Sequence, residues 1–502
     1  MFVRFGAVLA TCLMFAALPV AAQTMRIGLQ EDPDSLDPMA GTTFVGRIVF
    51  SALCDKLVDV DSNLNYVPQL ATAWEWGEEG RTLTLRLREG VTFHDGEPLN
   101  AEAVRYNIDR YRNTPGSRRA TELRPVQAVE VVDAMTVRLR MAQPFAPLLG
   151  VLSDRAGMML SPKATEAAGA RVGEAPACSG PFRFARRVHQ ERIVLDRFDG
   201  YWNAQAIHLQ QVVYLPVPAP NVRLANLRSG ALEMMERLAP TDLRQVRGQR
   251  GLRVEESTAL GYFTMTINVA NGPRASGPLS NPKVREALEA AIDRRALNQV
   301  VFDGAFVPSN QAQAPGTAFY NEAHPVPARD VERARRLLAE AGIPRPSFTL
   351  LVANSAVDVQ VGEVVQAMAA EAGFAIQVQA LETGALNAQT DRGDYEAAIV
   401  IWSGRADPDA NISIWLQCDG FINWGRYCNR GFDELLAQAR ARTDTAARQA
   451  LYRQASAIYL ADRPHLFLYH AKLFWAMTDR VSGFQTHPDG LIRLQGVRLA
   501  TR

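Results

Sequence analysis

The chain has 502 residues, of which 47% are hydrophobic and 21% are charged, and its formal net charge is +1. This composition is typical of a globular protein with two or three domains, and it excludes disordered, collagen-like and small disulfide-rich proteins. No stretch concentrates charge of one sign, so nucleic acid is not an expected partner. Only four of the 54 basic residues are lysines, which indicates a compositional bias toward arginine.

The first 22 residues have the pattern of a cleaved secretory signal peptide. Arg4 precedes an apolar run at 5–17, and small residues at 20–22 come directly before Gln23. The apolar run is shorter than the roughly 20 residues that cross a bilayer, so a membrane anchor is not favoured. A lipoprotein signal at Cys12 is also not favoured, because a threonine precedes it where a very small residue is required. The sequence predicts export to the periplasm.

Removal of this signal leaves four cysteines, an even number in a compartment where disulfides form. Cys418 and Cys428 are ten residues apart and are predicted to form a disulfide that closes a short loop. Cys54 and Cys178 remain as the second pair, and the sequence leaves open whether they form a disulfide or stay as buried thiols. No Cys-x-x-Cys spacing indicates a structural zinc site.

The first half of the mature chain alternates predicted strands with predicted helices. Residues 25–29 are predicted to form a strand, and a helical segment follows at 45–53. Alternation of apolar and polar residues predicts strands at 82–88 and 137–141, each with one buried face. Asn100 is the predicted cap of a helix between them.

The second half is richer in predicted helices but keeps the same alternation. Helices are predicted at 282–292, 331–341 and 432–460, and strands at 348–352 and 397–402. Both halves therefore predict an α/β fold.

The sequence predicts no catalytic residue, no metal site and no cofactor. No lysine precedes Ser or Thr as a P-loop requires, and neither G-x-S-x-G nor H-E-x-x-H occurs. His94, Asp95 and Gly96 are predicted to form a turn at the end of a strand. His465 and His470 are five residues apart, which is a poor helical spacing for metal ligands, and their apolar neighbours predict a buried strand.

Six groups of residues occur in a characteristic order. They are 68–74 (PQLATAW), 85–96 (LRLREGVTFHDG), 179–182 (SGPF) with 201–202 (YW), 284–288 (VREAL) with 292–293 (ID), 334–338 (ARRLL) with 341–342 (AG), and 402–404 (WSG) with 407–409 (DPD). Together they resemble the solute-binding proteins of peptide and nickel ABC importers, extracellular solute-binding protein family 5. The resemblance covers nearly the whole mature chain.

The resemblance implies an α/β fold with two lobes, which close through a hinge on one solute molecule without performing chemistry. The implied bounds are 23–265 plus 476–502 for lobe one, 63–178 for a subdomain inserted in lobe one, and 266–475 for lobe two. The hinge is expected where the chain crosses between lobes, at 266–268 and 475–479. The implied partners are a small peptide or related solute and the transmembrane subunits of an ABC permease, with the protein acting as a monomer.

The resemblance also implies where the ligand binds. In members that bind peptides, the strand that ends at the equivalents of Trp402, Ser403 and Gly404 pairs with the ligand backbone. An aspartate after that glycine binds the amino terminus of the peptide. This chain has Arg405 there, whose fork of donors suits a carboxylate or phosphate and repels an ammonium group. We therefore expect the ligand to be a peptide or a related anionic solute.

Other side chains are further candidates for ligand contact. Asp407 is the nearest carboxylate, although an aspartate before proline is often a turn or a helix cap. Asp407 or Asp409 is also an alternative, internal partner for the arginine at the strand end. Tyr262, Trp424 and Ser35 are expected near the cleft, and for each a purely structural role remains an equal alternative.

Two other functions remain as alternatives. A nickel- or haem-binding member of the same family would need histidines at the cleft, and none lies close to Trp402 in the sequence. An exported hydrolase would need a catalytic site without a P-loop, G-x-S-x-G or H-E-x-x-H motif, because none of these occurs in the sequence. The sequence therefore favours the periplasmic solute-binding component of an ABC importer.

Overall fold

The computed structural model describes residues 23–500. The predicted signal peptide at 1–22 lies outside the described residues. Between residues 23 and 500, no helix combines the length and the apolar character that crossing a bilayer requires.

Strands and helices alternate along the chain, and the strands are numbered here in chain order. They are β1 (Thr24–Leu29), β2 (Val58–Val60), β3 (Tyr66–Pro68), β4 (Ala71–Gly77), β5 (Thr82–Leu87), β6 (Val126–Asp133), β7 (Thr136–Met141), β8 (Phe182–Val188), β9 (Arg192–Arg197), β10 (Gln211–Pro216), β11 (Met234–Met235), β12 (Leu252–Thr258), β13 (Tyr262–Ile267), β14 (Val307–Pro308), β15 (Ser347–Ala353), β16 (Ala375–Leu381), β17 (Ala397–Trp402), β18 (His465–His470), β19 (Lys472–Thr478), β20 (Val481–Ser482) and β21 (Arg498–Leu499).

The α-helices begin mostly at capping side chains. They are α1 (Phe44–Leu53), α2 (Ala101–Asn113), α3 (Ala120–Leu123), α4 (Leu148–Leu152), α5 (Pro162–Ala168), α6 (Pro220–Arg228), α7 (Leu243–Arg247), α8 (Pro282–Ala291), α9 (Arg294–Phe302), α10 (Val331–Glu340), α11 (Ala356–Ala370), α12 (Thr383–Asp391), α13 (Asp409–Leu416), α14 (Arg430–Arg440) and α15 (Thr445–Asp462). The predicted cap Asn100 accepts a hydrogen bond of 2.9 Å from the backbone nitrogen of Ala103, which satisfies a free N–H group at the start of α2.

Lobe one, as we use the name, is built on a seven-stranded sheet with the order β12-β19-β11-β1-β10-β9-β8. β1 runs parallel to β10 and β11, and the other pairs are antiparallel. Met25, Ile27 and Leu29 alternate along β1 and are fully buried, because successive side chains of a strand point to opposite faces.

Lobe two is built on a six-stranded sheet with the order β14-β18-β13-β17-β15-β16. Helices α8–α11 contribute to one apolar core and helices α12–α15 to another. Every residue of β18 is buried, as expected for a strand that is covered on both faces. The sheet therefore forms the middle layer of this lobe.

A segment inserted in lobe one carries a separate antiparallel sheet with the order β4-β5-β7-β6. Leu83, Leu85 and Leu87 of β5 are buried and belong to the same apolar core as β1 and α1. The segment is thus a packed extension of lobe one.

Both cysteine pairs form disulfides. Cys418 and Cys428 are joined, which confirms the predicted short loop. Cys54 and Cys178 are also joined across a sequence separation of 124, so the alternative of two buried thiols is wrong. This second bond connects the two ends of the segment that contains the four-stranded sheet.

The pairing of strands fixes where the chain passes between the lobes. It leaves the seven-stranded sheet after β12 and enters the six-stranded sheet at β13, so the first crossing lies at 259–261. It returns between β18 and β19, at Ala471. The predicted crossings at 266–268 and 475–479 lie a few residues too late, because Thr266 already pairs in lobe two and Trp475 already pairs in lobe one.

Candidate functional site

The end of β17 lies directly against the first crossing segment. Gly404 has a φ of +79°, and a Cβ atom there would overlap the backbone nitrogen of Gly261. A Cβ atom on Gly261 would in turn overlap the carbonyl oxygen of Trp402. Glycine at both positions lets the two backbones touch, and residues 402–405 therefore lie where the lobes are joined.

Asn411 on α13 holds this segment in place. Its Oδ1 atom accepts hydrogen bonds from Nε1 of Trp402 at 2.9 Å and from the backbone nitrogen of Arg405 at 2.8 Å. Its Nδ2 atom donates to the carbonyl oxygen of Arg405 at 2.9 Å. The amide uses both ends on one short loop, so it fixes the direction in which Trp402 and Arg405 point. Ser403 lies between them and is exposed.

The guanidinium group of Arg405 lies over the Trp402 ring and reaches toward lobe one. It is 4.8 Å from the ring centroid, which is a cation–π distance. Its Nε atom lies 3.6 Å from Oδ2 of Asp154. Neither Asp407 nor Asp409 is its partner, so the internal pairing that the sequence left open is wrong. Arg405 instead connects the end of β17 with the inserted segment.

Asp407 is already occupied by other side chains. Arg448 donates to both carboxylate oxygens of Asp407 at 2.8 Å, a bidentate geometry that is strong and specific. Tyr66 donates a further hydrogen bond of 3.3 Å to Asp407. The carboxylate of Asp407 raises the pKa of Arg448 and outweighs the effect of burial. Arg440 binds Asp409 in a similar way, at 2.8 and 3.0 Å.

The other predicted site residues lie in different surroundings. Tyr262 is buried in the core of lobe two, where its hydroxyl donates a hydrogen bond of 2.7 Å to the carbonyl oxygen of Asn411. Trp424 is half-buried and packs edge to face against Trp415, with 5.3 Å between ring centroids. The hydroxyl of Ser35 accepts a hydrogen bond of 3.1 Å from the nitrogen of Asp37 in the first loop. The structure thus brings residues 402–405 together with Tyr262 through Asn411. Trp402 also packs edge to face against Trp415, with 6.2 Å between ring centroids, so Trp415 links Trp402 to Trp424.

Several contacts join lobe two to the inserted segment of lobe one. The backbone nitrogen of Ala146 donates to the carbonyl oxygen of Arg440 at 2.8 Å. Gly150 lies so close to Asp407 that an added Cβ atom would be 2.7 Å from the Cβ of the aspartate. With the Tyr66 hydrogen bond, these contacts join lobe two to the inserted segment around Asp407 and Arg440.

Sequence reasoning missed two residues of this region. Asn411 follows the Asp407–Asp409 motif closely, so its position in the first turn of the helix after that motif was a usable signal. Asp154 is far from Arg405 in the sequence, and no local pattern connects the two. Among residues 23–500, no group of three His, Cys, Asp or Glu side chains is arranged to hold a metal ion.

Residues 65–423 match the family described as bacterial extracellular solute-binding proteins, family 5 Middle. The chain belongs to this family. It is 30% identical over 506 residues to the glutathione-binding protein GsiB of Pectobacterium atrosepticum, covering 97% of this chain and 96% of that protein. It is 28% identical over 494 residues to GsiB of Shigella flexneri, covering 96% and 95% of the two chains.

The fold is also that of solved family proteins. The structure of DppA from Helicobacter pylori in complex with the peptide STSA has a TM-score of 0.82 and 24% identity, covering 95% of this chain and 98% of that one. The predicted two-lobed α/β fold is therefore confirmed, as is the predicted family. The chain is a solute-binding component of an ABC importer, and the proteins that it resembles are transport proteins rather than enzymes.

Proposed function

We propose that this chain captures a small peptide or peptide-like solute between its two lobes and delivers it to the transmembrane subunits of an ABC permease. The observation that carries this proposal is the contact of Arg405 on lobe two with Asp154 on lobe one. It places side chains of both lobes at the end of β17, where a solute would touch both. The relatives named glutathione-binding and the DppA structure with a bound tetrapeptide support a peptide as the ligand.

The hinge that we propose consists of the two crossings, 259–261 and Ala471. Lobe one then comprises 23–258 and 472–500, with the inserted segment at 63–178, and lobe two comprises 262–470. Because the full set of contacts to a solute exists only when the lobes meet, the solute selects the closed state. The mature protein, beginning near Gln23, works in the periplasm as a monomer.

Residues 402–405 are the proposed contact surface for the solute on lobe two. Trp402 offers a flat apolar surface, and exposed Ser403 and half-buried Arg405 offer polar anchors, which is the usual combination in small-molecule sites. Asp407 is a positioning residue in this proposal, because Arg448 occupies both of its carboxylate oxygens.

Calorimetry and small-angle scattering test the proposal together. Purified mature protein is titrated with reduced glutathione and with the peptide STSA. We expect saturable one-to-one binding of at least one of them, an unchanged peptide afterwards, and a smaller radius of gyration in the complex. Absence of binding by either peptide, or scattering curves that superimpose with and without a bound peptide, would refute it.

A further inference from the structure

Four arginines gather around one aspartate where the inserted segment, α1 and lobe two meet. Arg47 on α1 forms an ion pair of 3.0 Å with Asp154, and Nε of Arg155 lies 3.7 Å from the same carboxylate. Arg405 approaches it from lobe two at 3.6 Å. Arg119 is the fourth member, because its Nη2 atom and Nη1 of Arg155 donate to the same carbonyl oxygen, that of Gly41, at 3.4 and 2.9 Å. We call these four residues the arginine cluster.

The arginine cluster carries more positive charge than its own carboxylates balance. Asp154 is shared by the cluster, and Glu122 forms an ion pair of 2.8 Å with Arg119. The charge of Arg47 also acts on Asp489, but Asp489 forms its own ion pair of 2.7 Å with Arg493. Outside that pair, two carboxylates face four guanidinium groups, which leaves two positive charges in a buried place. Burial of uncompensated charge is costly, so an ion network that served the fold alone would be expected to balance.

Donor groups of the cluster are also left over. Nη1 of Arg47, Nε of Arg119 and Nε of Arg155 are buried and donate to no acceptor in the described part of the chain, and Oδ2 of Asp154 accepts no hydrogen bond there. Three unpaired donors thus face one unpaired acceptor. These three arginines are 3 to 5% exposed. Arg405 has the most accessible side chain of the four, because 17% of that side chain is exposed. It is therefore the member of the cluster that a solute between the lobes would contact first.

The electrostatic effects of the cluster agree with its geometry. The surrounding guanidinium groups hold the pKa of Asp154 well below its usual range, despite burial. Burial, together with the charges of Arg119, Arg405 and Arg47, lowers the pKa of Arg155 to about 9, although the charge of Asp154 opposes this shift. Asp154 keeps the arginines oriented but does not neutralise them.

We propose that the arginine cluster is an anion subsite that binds a carboxylate of the transported solute and so selects peptides of net negative charge. This inference rests on the proposed function and specifies its substrate class. A carboxylate supplies the acceptors and the charge that the cluster lacks, through charge-assisted and bidentate hydrogen bonds. Because Arg405 reaches the cluster from lobe two, binding of the carboxylate also favours closure of the lobes.

Calorimetry with reduced glutathione and its diethyl ester tests the subsite, because the ester lacks both carboxylates. We expect the ester to bind the natural protein about 10-fold more weakly than the acid, or worse. Arg405→Ala is expected to weaken binding of the acid by about 10- to 100-fold and binding of the ester by less than about twofold. Arg405→Lys keeps the positive charge but loses the bidentate guanidinium group. Its affinity for the acid should therefore lie between that of the natural protein and that of Arg405→Ala. Arg442→Ala, which removes an exposed arginine of lobe two, is the matched control.

The outcomes separate this inference from the proposed function. Equal affinity for acid and ester overturns the subsite and leaves peptide capture intact. If neither the acid nor the ester binds, peptide capture is decided by the titration with STSA, and thermal unfolding with glutarate, succinate and inorganic phosphate decides on the subsite. A melting temperature that a dicarboxylate raises in the natural protein but not in Arg405→Ala supports the subsite. No rise with either dicarboxylate, or a rise with phosphate alone, overturns it.

Discussion

At the residue scale, the meeting of Gly261 and Gly404 determines the shape of the candidate site. The two glycines allow the end of β17 to lie on the crossing between the lobes, where any side chain at either position would overlap backbone atoms. Gly404 additionally has a positive φ, which glycine adopts at little cost. The position of Trp402 and Arg405 therefore depends on two residues that have no side chain.

We expect Gly404→Ala to destabilise the protein by at least about 3 kcal/mol, because it adds a backbone overlap to the cost of a left-handed conformation. Gly251→Ala is the control, since Gly251 has a φ of +84° and no atom within 4 Å of an added Cβ. This control should cost only about 1 to 2 kcal/mol. Urea unfolding measures both, and equal losses for the two variants would contradict the overlap.

Residues 402–405 could be located from the sequence because the motif around them is local and contiguous. Their partners were harder to predict. Arg405 was expected to pair with a nearby aspartate, but Asp407 is held by Arg448 and the true partner is Asp154. Charge pairing between distant segments is decided by the fold, so no spacing in the sequence reveals it.

At the element scale, predicted and observed elements agree closely where hydrophobic periodicity is strong. The helix predicted at 331–341 is Val331–Glu340, and the strand predicted at 397–402 is Ala397–Trp402. The helix predicted at 432–460 is instead two helices, α14 and α15, because Asp444 caps a new start. The side chain of Asp444 accepts a hydrogen bond of 2.8 Å from the nitrogen of Ala447, a cap that the apolar pattern concealed.

β18 makes the stability of the protein depend on pH. Burial lowers the pKa of His465 from 6.5 to about 3. The imidazole packs against the rings of Trp415 and Phe467, and its hydrogen-bond contact is the hydroxyl of Thr264 at 3.5 Å. Below pH 6.5 the unfolded chain therefore binds a proton that the folded chain excludes. The contribution of His465 is fully present above that pH and is lost as the pH falls toward 3.

His465→Phe should reduce the number of protons that the chain takes up on unfolding below pH 6.5 by one. Between about pH 6 and pH 5, the free energy of unfolding of the variant should fall by about 1.4 kcal/mol less than that of the natural protein. Urea unfolding at several pH values measures the two slopes. His189→Gln, at an exposed histidine, is the control for loss of a histidine. Parallel pH profiles for His465→Phe and the natural protein would show that the histidine does not titrate as described.

At the scale of the whole molecule, the lobes are joined by the two chain crossings and by the contacts of the inserted segment with lobe two. The family resemblance predicted the two-lobed fold, since its motifs span most of the chain. It misplaced the crossings by a few residues, because motifs do not record which sheet a strand joins. It also left the Cys54–Cys178 pair open, which only the three-dimensional fold brings together.

The hydrogen bond between Tyr66 and Asp407 spans the two lobes and should favour the closed state. We expect Tyr66→Phe to weaken solute binding by about 2- to 10-fold, because it removes one hydrogen bond that only the closed state makes. Calorimetry measures the affinity, and scattering of the solute-free variant should show a larger radius of gyration. Tyr106→Phe, on α2 in the same segment, is the control. An unchanged affinity and an unchanged radius for Tyr66→Phe would remove this contact from the closure mechanism.

The place of β1 in the seven-stranded sheet has a consequence for the time course of folding. β1 lies between β10 and β11, and the other neighbour of β11 is β19, so the first and nearly the last strands of the chain complete one sheet. Lobe two draws all its strands from 262–470 and can assemble from this contiguous stretch. Because pairing of distant segments is slow, we expect lobe two to fold first and lobe one to remain an incomplete intermediate until its C-terminal strand arrives.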